Sequence, residues 1–304
     1  EFANSGMMAG LSTVNFNSNT LDSFNGFIGS FSTYGSFSYL KYGPIRLFSQ
    51  VAQDSQIKVG KLLWIAGHSG PETAEDSRTH FGIFAPQVWK LFPKGQVIVL
   101  SFWDYNDVAP GYFAAAEIAA RDPKVGIIVL EVARPDFPVA DRSKFSDKDI
   151  NAASKGMYLI RDYDESKPKH GVVLVQGSSS TVNLVNIIEK LEQNGINVKI
   201  VSAISEELFN HQADKYKEKV LSNKDKNNCM VITTGTKRVW PVSGLGQLTE
   251  EYSLTSDFDD QWLTGGTEDD VIKEARLDES SILEAVSKFA NDYDDRMKRL
   301  NNSI

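Results

Sequence analysis

The sequence predicts an α/β fold with two doubly wound domains, and two observations support this prediction. Apolar runs of strand length alternate along the chain with segments of helical pattern. The runs are continuously apolar, which indicates strands buried on both faces, as in a parallel sheet covered by helices. A chain of 304 residues also suits about two domains of ~100–200 residues each.

The predicted elements follow one another in the order expected of βαβ units. Strands are predicted at 61–67, 96–102, 125–132, 170–177, 197–204 and 229–235. Helices are predicted at 108–122, 181–195, 205–221 and 279–300. The second of these helices follows a Ser/Thr cluster and ends at Gly195, which is the chemistry of helix caps. Strands that alternate with helices indicate right-handed βαβ units.

Two segments depart from this alternation. The polar segment 141–170 has no long apolar run and ends in a Lys/Pro cluster, so we interpret 143–169 as a linker between domains at 1–142 and 170–304. The segment 16–43 places Phe and Tyr among Ser, Gly and Asn. Composition alone leaves open whether it is a β-rich polar-aromatic tract or a loop that offers aromatic side chains to a flat ligand.

Charge and composition exclude several classes of function. The net charge of −8 argues against a surface built to bind nucleic acid. Cys229 is the single cysteine of the sequence, so we expect it in a buried strand and the protein in a reducing, cytoplasmic compartment. The sequence shows no run of about 18 apolar residues and no signal-peptide pattern, so we expect no membrane association.

The stretch HSGPETAEDSRTH (68–80) carries the densest group of reactive side chains. His68 and His80 bracket Glu72, Glu75 and Asp76, which leaves open a metal site, a solvated loop or the edge of an active site. The stretch begins at the carboxyl end of the predicted strand 61–67, where ligands bind in open α/β sheets. This position favours an active site in which two histidines exchange protons near neutral pH.

Two further segments follow predicted strands. Arg134 lies in EVARPDFP (131–138), where it suits bidentate capture of phosphate or carboxylate, or a surface ion pair with Asp136 or Asp141. VQGSSSTVN (175–183) reads as strand, turn and helix, and it would form either an anion cradle at a helix N-terminus or an ordinary serine cap. It lacks both GxGxxG and GxxxxGK[ST].

Taken in order, these motifs resemble the second half of transketolase, a thiamine-diphosphate enzyme. HSGPETAEDSRTH has the length of the family's HDSxxxGEDGPTH, with both histidines, the Glu-Asp pair and the Thr in register. EFANSGMMAG aligns without gaps with REHAMGAIMNG, the helix that carries the family's catalytic glutamate. Further similarities pair GFIGSFSTY with GTFxxFxxY, ARPDFP with SRQNLP, ASKGMY with ASKGGY, VQGSSSTV with ATGSEV, and SEELFNHQADKY with SWELFDxQxxEY.

The resemblance implies a mostly parallel pyrimidine-binding domain at 1–142 and a smaller transketolase C-terminal-type α/β domain at 170–304. Glu1 would hydrogen-bond the pyrimidine nitrogen of thiamine diphosphate and so promote deprotonation of the thiazolium carbon. A carboxyl that keeps its proton beside apolar rings can act in this way. Phe27, Phe31 and Tyr34 correspond to the aromatic run that packs on the pyrimidine.

The resemblance also implies a sugar-phosphate site. His68 and His80 would contact the ketose or its phosphate, Asp76 the hydroxyl next to the reacting carbon, and Arg134 the phosphate. Glu1, His68 and His80 are thus the expected catalytic residues. Ser69, Ser77-Arg78 and Phe81-Gly82 depart from the family pattern, so substrate preference is expected to differ.

The family's GDG…N motif, which holds the diphosphate and its Mg or Ca ion, is not found in this sequence. The chain is therefore expected to provide no metal ligand and to act with a diphosphate-binding N-terminal half or subunit, as a dimer of such pairs, either as a fragment or as a subunit of a split enzyme. The resulting hypothesis is transfer of a two-carbon ketol unit from a ketose phosphate to an aldose. Alternatives are the β subunit of a 2-oxo-acid dehydrogenase E1 component, deoxyxylulose-phosphate synthase and a non-catalytic scaffold or regulatory paralogue.

Overall fold

The structure is a computed structural model, and it describes residues 1–67, 70–257 and 259–302. The strands are β1 Gly29–Tyr34, β2 Leu62–Gly67, β3 Val97–Ser101, β4 Ile127–Glu131, β5 Met157–Arg161, β6 Val172–Gln176, β7 Lys199–Ala203, β8 Cys229–Thr233 and β9 Leu254–Thr255. The α-helices are α1 Phe2–Leu11, α2 Tyr42–Asp54, α3 Ala85–Trp89, α4 Tyr105–Arg121, α5 Ser178–Asn186, α6 Ile188–Gln193, α7 Glu206–Asn210, α8 Asp214–Leu221, α9 Asn223–Asn227, α10 Thr249–Tyr252, α11 Glu268–Glu274, α12 Glu279–Asn291 and α13 Tyr293–Asn302. Short 3₁₀ helices lie at Gly35–Lys41, Pro71–Glu75, Arg78–His80, Arg142–Lys144 and Ala152–Lys155.

The first sheet is parallel throughout and has the order β1-β2-β4-β3. One face, which includes Trp64, packs on buried side chains of α2 and α3 such as Phe48 and Trp89. The other face, which includes Ile98 and Ile128, packs on side chains of α4. Helices thus cover both faces, which explains why these strands are so apolar.

The second sheet has the order β5-β7-β6-β8-β9, in which β5 runs antiparallel to β7 and the other pairs are parallel. Its two faces pack on α5, α6 and α12 and on α7 and α8. The predicted α/β class is therefore confirmed, with one parallel sheet and one mostly parallel sheet.

Each of the six predicted strands is present, and the structure adds three. β1 lies inside the aromatic tract 16–43, β5 lies inside the predicted linker 143–169, and β9 is a two-residue edge strand. Cys229 begins β8 and is buried, as predicted, and burial raises the pKa of its thiol to about 12. The domain boundaries themselves stay a prediction.

The predicted helices form with breaks that the sequence pattern did not show. The segment 181–195 contains the end of α5 and then α6, with Ile187 between them. The segment 205–221 divides into α7 and α8, and 279–300 divides into α12 and α13. Within the described residues, no helix has the length and apolar composition needed to cross a bilayer.

The carboxyl end of β3 in the first sheet meets the segment that follows β7 in the second sheet. The backbone N–H of Ser101 donates to the carbonyl of Ile204 at 2.9 Å. Burial raises the pKa of Glu207, whose carboxylate accepts the N–H of Val99 at 3.3 Å. This contact places the loops that follow β2 and β4 beside the turn that follows β6.

Candidate active site

The candidate site forms where the parallel strands β1, β2 and β4 end. The 3₁₀ helix Gly35–Lys41 follows β1, the loop 70–84 follows β2, and Arg134 follows β4. Because parallel strands present their carboxyl ends at one edge, three segments that are distant in sequence meet there. This is the edge at which the sequence places the motif 68–80.

Glu1 is held at this edge by two partners, one for each carboxylate oxygen. The hydroxyl of Thr33, near the end of β1, donates to Oε1 at 2.8 Å. The Nζ of Lys41 lies 3.3 Å from Oε2. Burial raises the pKa of Glu1, but the hydrogen bond from Thr33 and the charge of Lys41 outweigh it, so the pKa lies below its ordinary value. In the chain by itself, this lowered pKa favours the ionised carboxylate and not a carboxyl that keeps its proton.

Three rings form an aromatic cluster at the same carboxyl edge of the sheet, defined as Tyr34, Phe37 and His80. Tyr34 and His80 stack with ring centroids 4.3 Å apart and an interplanar angle of 24°. Phe37 contacts both rings edge-on, at 5.8 Å from Tyr34 and 5.7 Å from His80. The structure thus brings together two of the predicted residues, Tyr34 and His80. The third ring, Phe37, was not among the residues predicted from the sequence motif.

The loop 70–84 is held in shape by short-range hydrogen bonds. The hydroxyl of Thr73 donates to the carbonyl of His80 at 2.9 Å, and the N–H of His80 donates to the carbonyl of Ser77 at 2.9 Å. The Nδ1 of His80 is buried and has no hydrogen-bond partner among the described residues. Arg78 anchors the loop to the second half of the chain through its Nε, which donates to the carbonyl of Leu263 at 2.9 Å.

Arg134 is paired within the site and not with the two surface aspartates weighed from the sequence. Its guanidinium contacts the carboxylate of Glu75 and lies 3.0 Å from that of Asp76. The hydrogen bond with Glu75, followed by the charges of Asp76 and Glu75, raises the pKa of Arg134. Arg134, the predicted phosphate ligand, therefore pairs with Asp76, the predicted ligand of a substrate hydroxyl.

The structure does not bring all of the predicted aromatic residues together. Phe27 precedes β1, is half exposed and packs on Phe16 at 5.6 Å. Since β1 has six residues with a rise of about 3.3 Å between neighbours, its two ends lie roughly 17 Å apart, and Phe27 is at the end away from the aromatic cluster. Phe31 is buried beneath Lys41 and lies 5.6 Å from Trp64, on the opposite face of β1 from Tyr34. His68 lies outside the described residues.

The sequence comparison missed Phe37 and Lys41. Phe37 continues the spacing of Phe31 and Tyr34, one aromatic residue in every three, so the repeat itself was the signal. Lys41 gave no signal, because a lysine in a polar tract predicts a solvated side chain. Its burial follows from the packing of the 3₁₀ helix over β1 and β2.

The Ser-rich turn after β6 binds a carboxyl group that belongs to the chain itself. The carboxylate of Glu72 accepts the N–H of Ser179, in the first turn of α5, at 3.3 Å. Glu72 is 1% exposed, and burial, only partly offset by this hydrogen bond, raises its pKa. The anion cradle weighed from the sequence is thus filled by the loop 70–84. In the described part of the chain, His, Cys, Asp and Glu side chains form no group of three or more that could hold a metal ion.

Comparison with known proteins identifies relatives of one family. Residues 156–249 match the model of the transketolase-like TK C-terminal domain. Transketolase 10 of Craterostigma plantagineum is 26% identical over 190 residues, which is 62% of this chain and 25% of the relative. Transketolase of Aquifex aeolicus is 30% identical over 161 residues, or 53% of this chain and 22% of the relative. The chain thus spans about a quarter of the curated relatives it matches.

Solved structures show the same fold. Transketolase from Leishmania mexicana superposes with a TM-score of 0.68 at 18% identity, over 95% of this chain and 37% of that one. A structure described as a split-gene transketolase, inactive beta4 tetramer, superposes with a TM-score of 0.57 at 17% identity, over 96% of this chain and 82% of that one. The resemblance to the C-terminal half of transketolase is therefore confirmed.

Proposed function

We propose that this chain, which corresponds to the C-terminal half of a transketolase, transfers a two-carbon ketol unit from a ketose phosphate to an aldose when it is joined to a diphosphate-binding half. One observation carries the proposal: the Glu1 carboxylate, the aromatic cluster and the Arg134 side chain all lie at the carboxyl edge of one parallel sheet. Thiamine diphosphate, when bound, would supply the nucleophilic carbon for this reaction.

The residues at the edge suit the pyrimidine end of this coenzyme. A carboxylate oxygen of Glu1 can share a proton with a ring nitrogen, and Tyr34 and Phe37 offer partly exposed rings on which a flat heterocycle can pack. Phe37 replaces Phe27 and Phe31 in this role, because Phe27 lies at the other end of β1 and Phe31 is covered by Lys41.

The substrate would bind between the loop 70–84 and Arg134. His80, whose Nδ1 is buried without a partner among the described residues, can bind a substrate oxygen or carry a proton. Arg134 can bind the phosphate through its planar fork once Glu75 and Asp76 release it. Asp76 would then accept a hydrogen bond from a substrate hydroxyl. His68 stays a predicted member of this set.

The partner would be a diphosphate-binding transketolase half or subunit, which would also hold the Mg or Ca ion. The outer surfaces of α1 and α2, next to Glu1, carry exposed apolar side chains, namely Phe2, Met7, Leu11, Leu47 and Val51. Exposed apolar side chains on two neighbouring helices are a feature of protein interfaces. The split-gene neighbour supports this view, since its assembly of β chains is described as inactive. The heterotetramer and the cytoplasmic location stay predictions.

The direct test is the activity of Glu1→Gln in the reconstituted enzyme. The chain is mixed with the diphosphate-binding half, thiamine diphosphate and Mg²⁺, and ketol transfer is measured from a ketose phosphate. Glu1→Gln keeps the shape but cannot share a proton in the same way, so activity should fall by about 10²-fold or more. The control is Glu117→Gln, whose side chain is 70% exposed on α4 and pairs only with Arg121 among the described residues.

Undiminished activity of Glu1→Gln would support the scaffold alternative and defeat the proposal. Activity on a 2-oxo acid, without ketol transfer, would instead support an E1 β subunit. Equal losses in Glu1→Gln and Glu117→Gln would show that neither loss reports on catalysis.

A further inference from the structure

A buried lysine stands next to the candidate catalytic carboxylate, and nothing in the proposed reaction requires it. Lys41 ends the 3₁₀ helix that follows β1, and its side chain is 1% exposed. Its Nζ lies 5.0 Å from the ring centroid of Phe31 and 5.9 Å from that of Trp64. Among the described residues this ammonium has no hydrogen-bond partner, and its one ion pair is with Glu1.

Such a placement is unfavourable unless the charge is compensated. Transfer of an ammonium ion into a protein interior costs on the order of several kcal/mol. Cation–π attraction to the two rings offsets part of this cost, and attraction to the Glu1 carboxylate offsets a further part. Burial lowers the pKa of Lys41, and the charge of Glu1 acts in the opposite direction. The arrangement therefore depends on Glu1 being ionised.

The same contacts restrict Glu1. Thr33 occupies Oε1 from β1 and Lys41 occupies Oε2 from the 3₁₀ helix, so both the position and the plane of the carboxylate are set. Among the side chains of the described residues, the positive group that acts on Glu1 is the Lys41 ammonium. Phe31 and Trp64, which pack on Lys41 from β1 and β2, do not titrate.

We propose that Lys41 is a positioning residue that fixes Glu1 as a carboxylate by an ion pair, so that the pyrimidine nitrogen meets a carboxylate and not a carboxylic acid. The shared proton would then reach the ring nitrogen from solvent, and no other bond is made or broken. This inference rests on the proposed function for its consequence, whereas the ion pair itself can be tested without coenzyme.

The test follows the titration of Glu1 by NMR in chain labelled with ¹³C at the glutamate side-chain carboxyl carbons. Glu1→Gln identifies the resonance by its loss. Lys41→Met replaces the ammonium with an uncharged side chain of similar length that suits the space between two rings. The Glu1 titration should move to higher pH in Lys41→Met. Burial raises the pKa of Glu1, and the Lys41 ammonium would no longer oppose that effect.

The matched control is Lys199→Met, which removes another buried lysine that pairs with a carboxylate, Asp225, at 2.8 Å in the second half of the chain. Lys199→Met should leave the pH at which Glu1 titrates unchanged. Lys41→Gln serves as a second neutral variant, and thermal unfolding shows which variants are folded. A Glu1 titration that is the same in wild type and in a folded neutral variant overturns the inference.

A second measurement separates this inference from the proposed function. In the reconstituted enzyme, the acid limb of the pH profile of kcat should move to higher pH in Lys41→Met. If Glu1→Gln keeps full activity while Lys41→Met still shifts the Glu1 titration, the proposed function fails and the ion pair stands. If Glu1→Gln is inactive and Lys41→Met shifts neither the Glu1 titration nor the pH profile of kcat, Lys41 is only structural and the positioning role fails.

Discussion

Single residues at the end of β1 decide how the aromatic tract is used. Phe31, Tyr34 and Phe37 share a spacing of three, yet they occupy different environments because a strand turns side chains to alternate faces and a 3₁₀ helix does not. Phe31 is buried under Lys41, whereas Tyr34 and Phe37 lie beside His80. The motif therefore lies in the tract that borders the candidate site, but its aromatic residues do not share one environment.

The assignment of Phe37 predicts a selective effect on coenzyme affinity. Phe37→Leu keeps an apolar side chain but removes the ring, so the Kd of thiamine diphosphate for the reconstituted enzyme should rise about tenfold, the value of one aromatic contact. Phe27→Leu, at the other end of β1, should leave the Kd unchanged. The affinity is measured by isothermal titration calorimetry, and a larger effect from Phe27→Leu would restore the alignment made from the sequence.

At the scale of elements, a buried polar network joins α4 to the segment before β5. Arg142 pairs with Asp107 and lies 3.3 Å from Asp104, while the hydroxyl of Tyr158 donates to Asp107 at 3.1 Å. The indole of Trp103 donates to the same hydroxyl at 2.8 Å. Because every element contributes a polar atom, the network fixes the predicted linker against the first sheet.

This network predicts that stability falls as the pH rises from acid to neutral. Burial raises the pKa of Asp107 to about 7, against the opposing charge of Arg142. A carboxyl with a raised pKa binds a proton more tightly in the folded state, so its contribution is full below the unfolded pKa and is lost as the pH rises through about 7. The free energy of unfolding of Asp107→Asn should therefore depend less on pH between about 4 and 7 than that of wild type.

Urea unfolding at several pH values checks this prediction. Asp54→Asn, which changes an exposed aspartate at the end of α2, serves as the control. If the pH dependence of Asp107→Asn matched that of wild type, another group would be responsible.

At the scale of the whole molecule, the two sheets meet through the loop 70–84. Glu72 reaches from this loop to the N-terminus of α5, and Arg78 reaches to the carbonyls of Leu263 and Trp262. Gly70 and Gly177 allow this close approach. Both have positive φ, and an added Cβ would lie 2.1 Å from the Glu72 carboxylate and 2.0 Å from the Thr234 hydroxyl, respectively.

The hydrogen bond between Glu72 and Ser179, which connects the two sheets, leads to a prediction about stability. Glu72→Ala should lower the free energy of unfolding by about 1–3 kcal/mol, because the buried N–H of Ser179 loses its acceptor. Glu72→Gln should lower it less, since the amide oxygen can accept the same hydrogen bond. Denaturant unfolding near neutral pH measures both variants, and equal stability of Glu72→Ala and Glu72→Gln would contradict the role given to this contact.

The sequence by itself determined the fold class, six of the strands and the edge of the sheet at which the candidate site lies. These features follow from local patterns: continuous apolar runs indicate buried parallel strands, and motifs that follow such strands are brought to one edge. The strands that it missed, β1 and β5, lie within polar segments and carry no comparable run. The sequence pattern also did not indicate the breaks in the predicted helices, since the segments on both sides of each break keep a helical pattern.

Only the tertiary structure decided which side chains meet. It paired Arg134 with Glu75 and Asp76, moved Phe27 away from the site and buried Lys41 against Glu1. Each of these outcomes depends on distance in space between residues that are far apart in sequence. Local pattern places a motif on a strand or loop, but burial and charge partners, and with them the lowered pKa of Glu1, arise only when the elements pack.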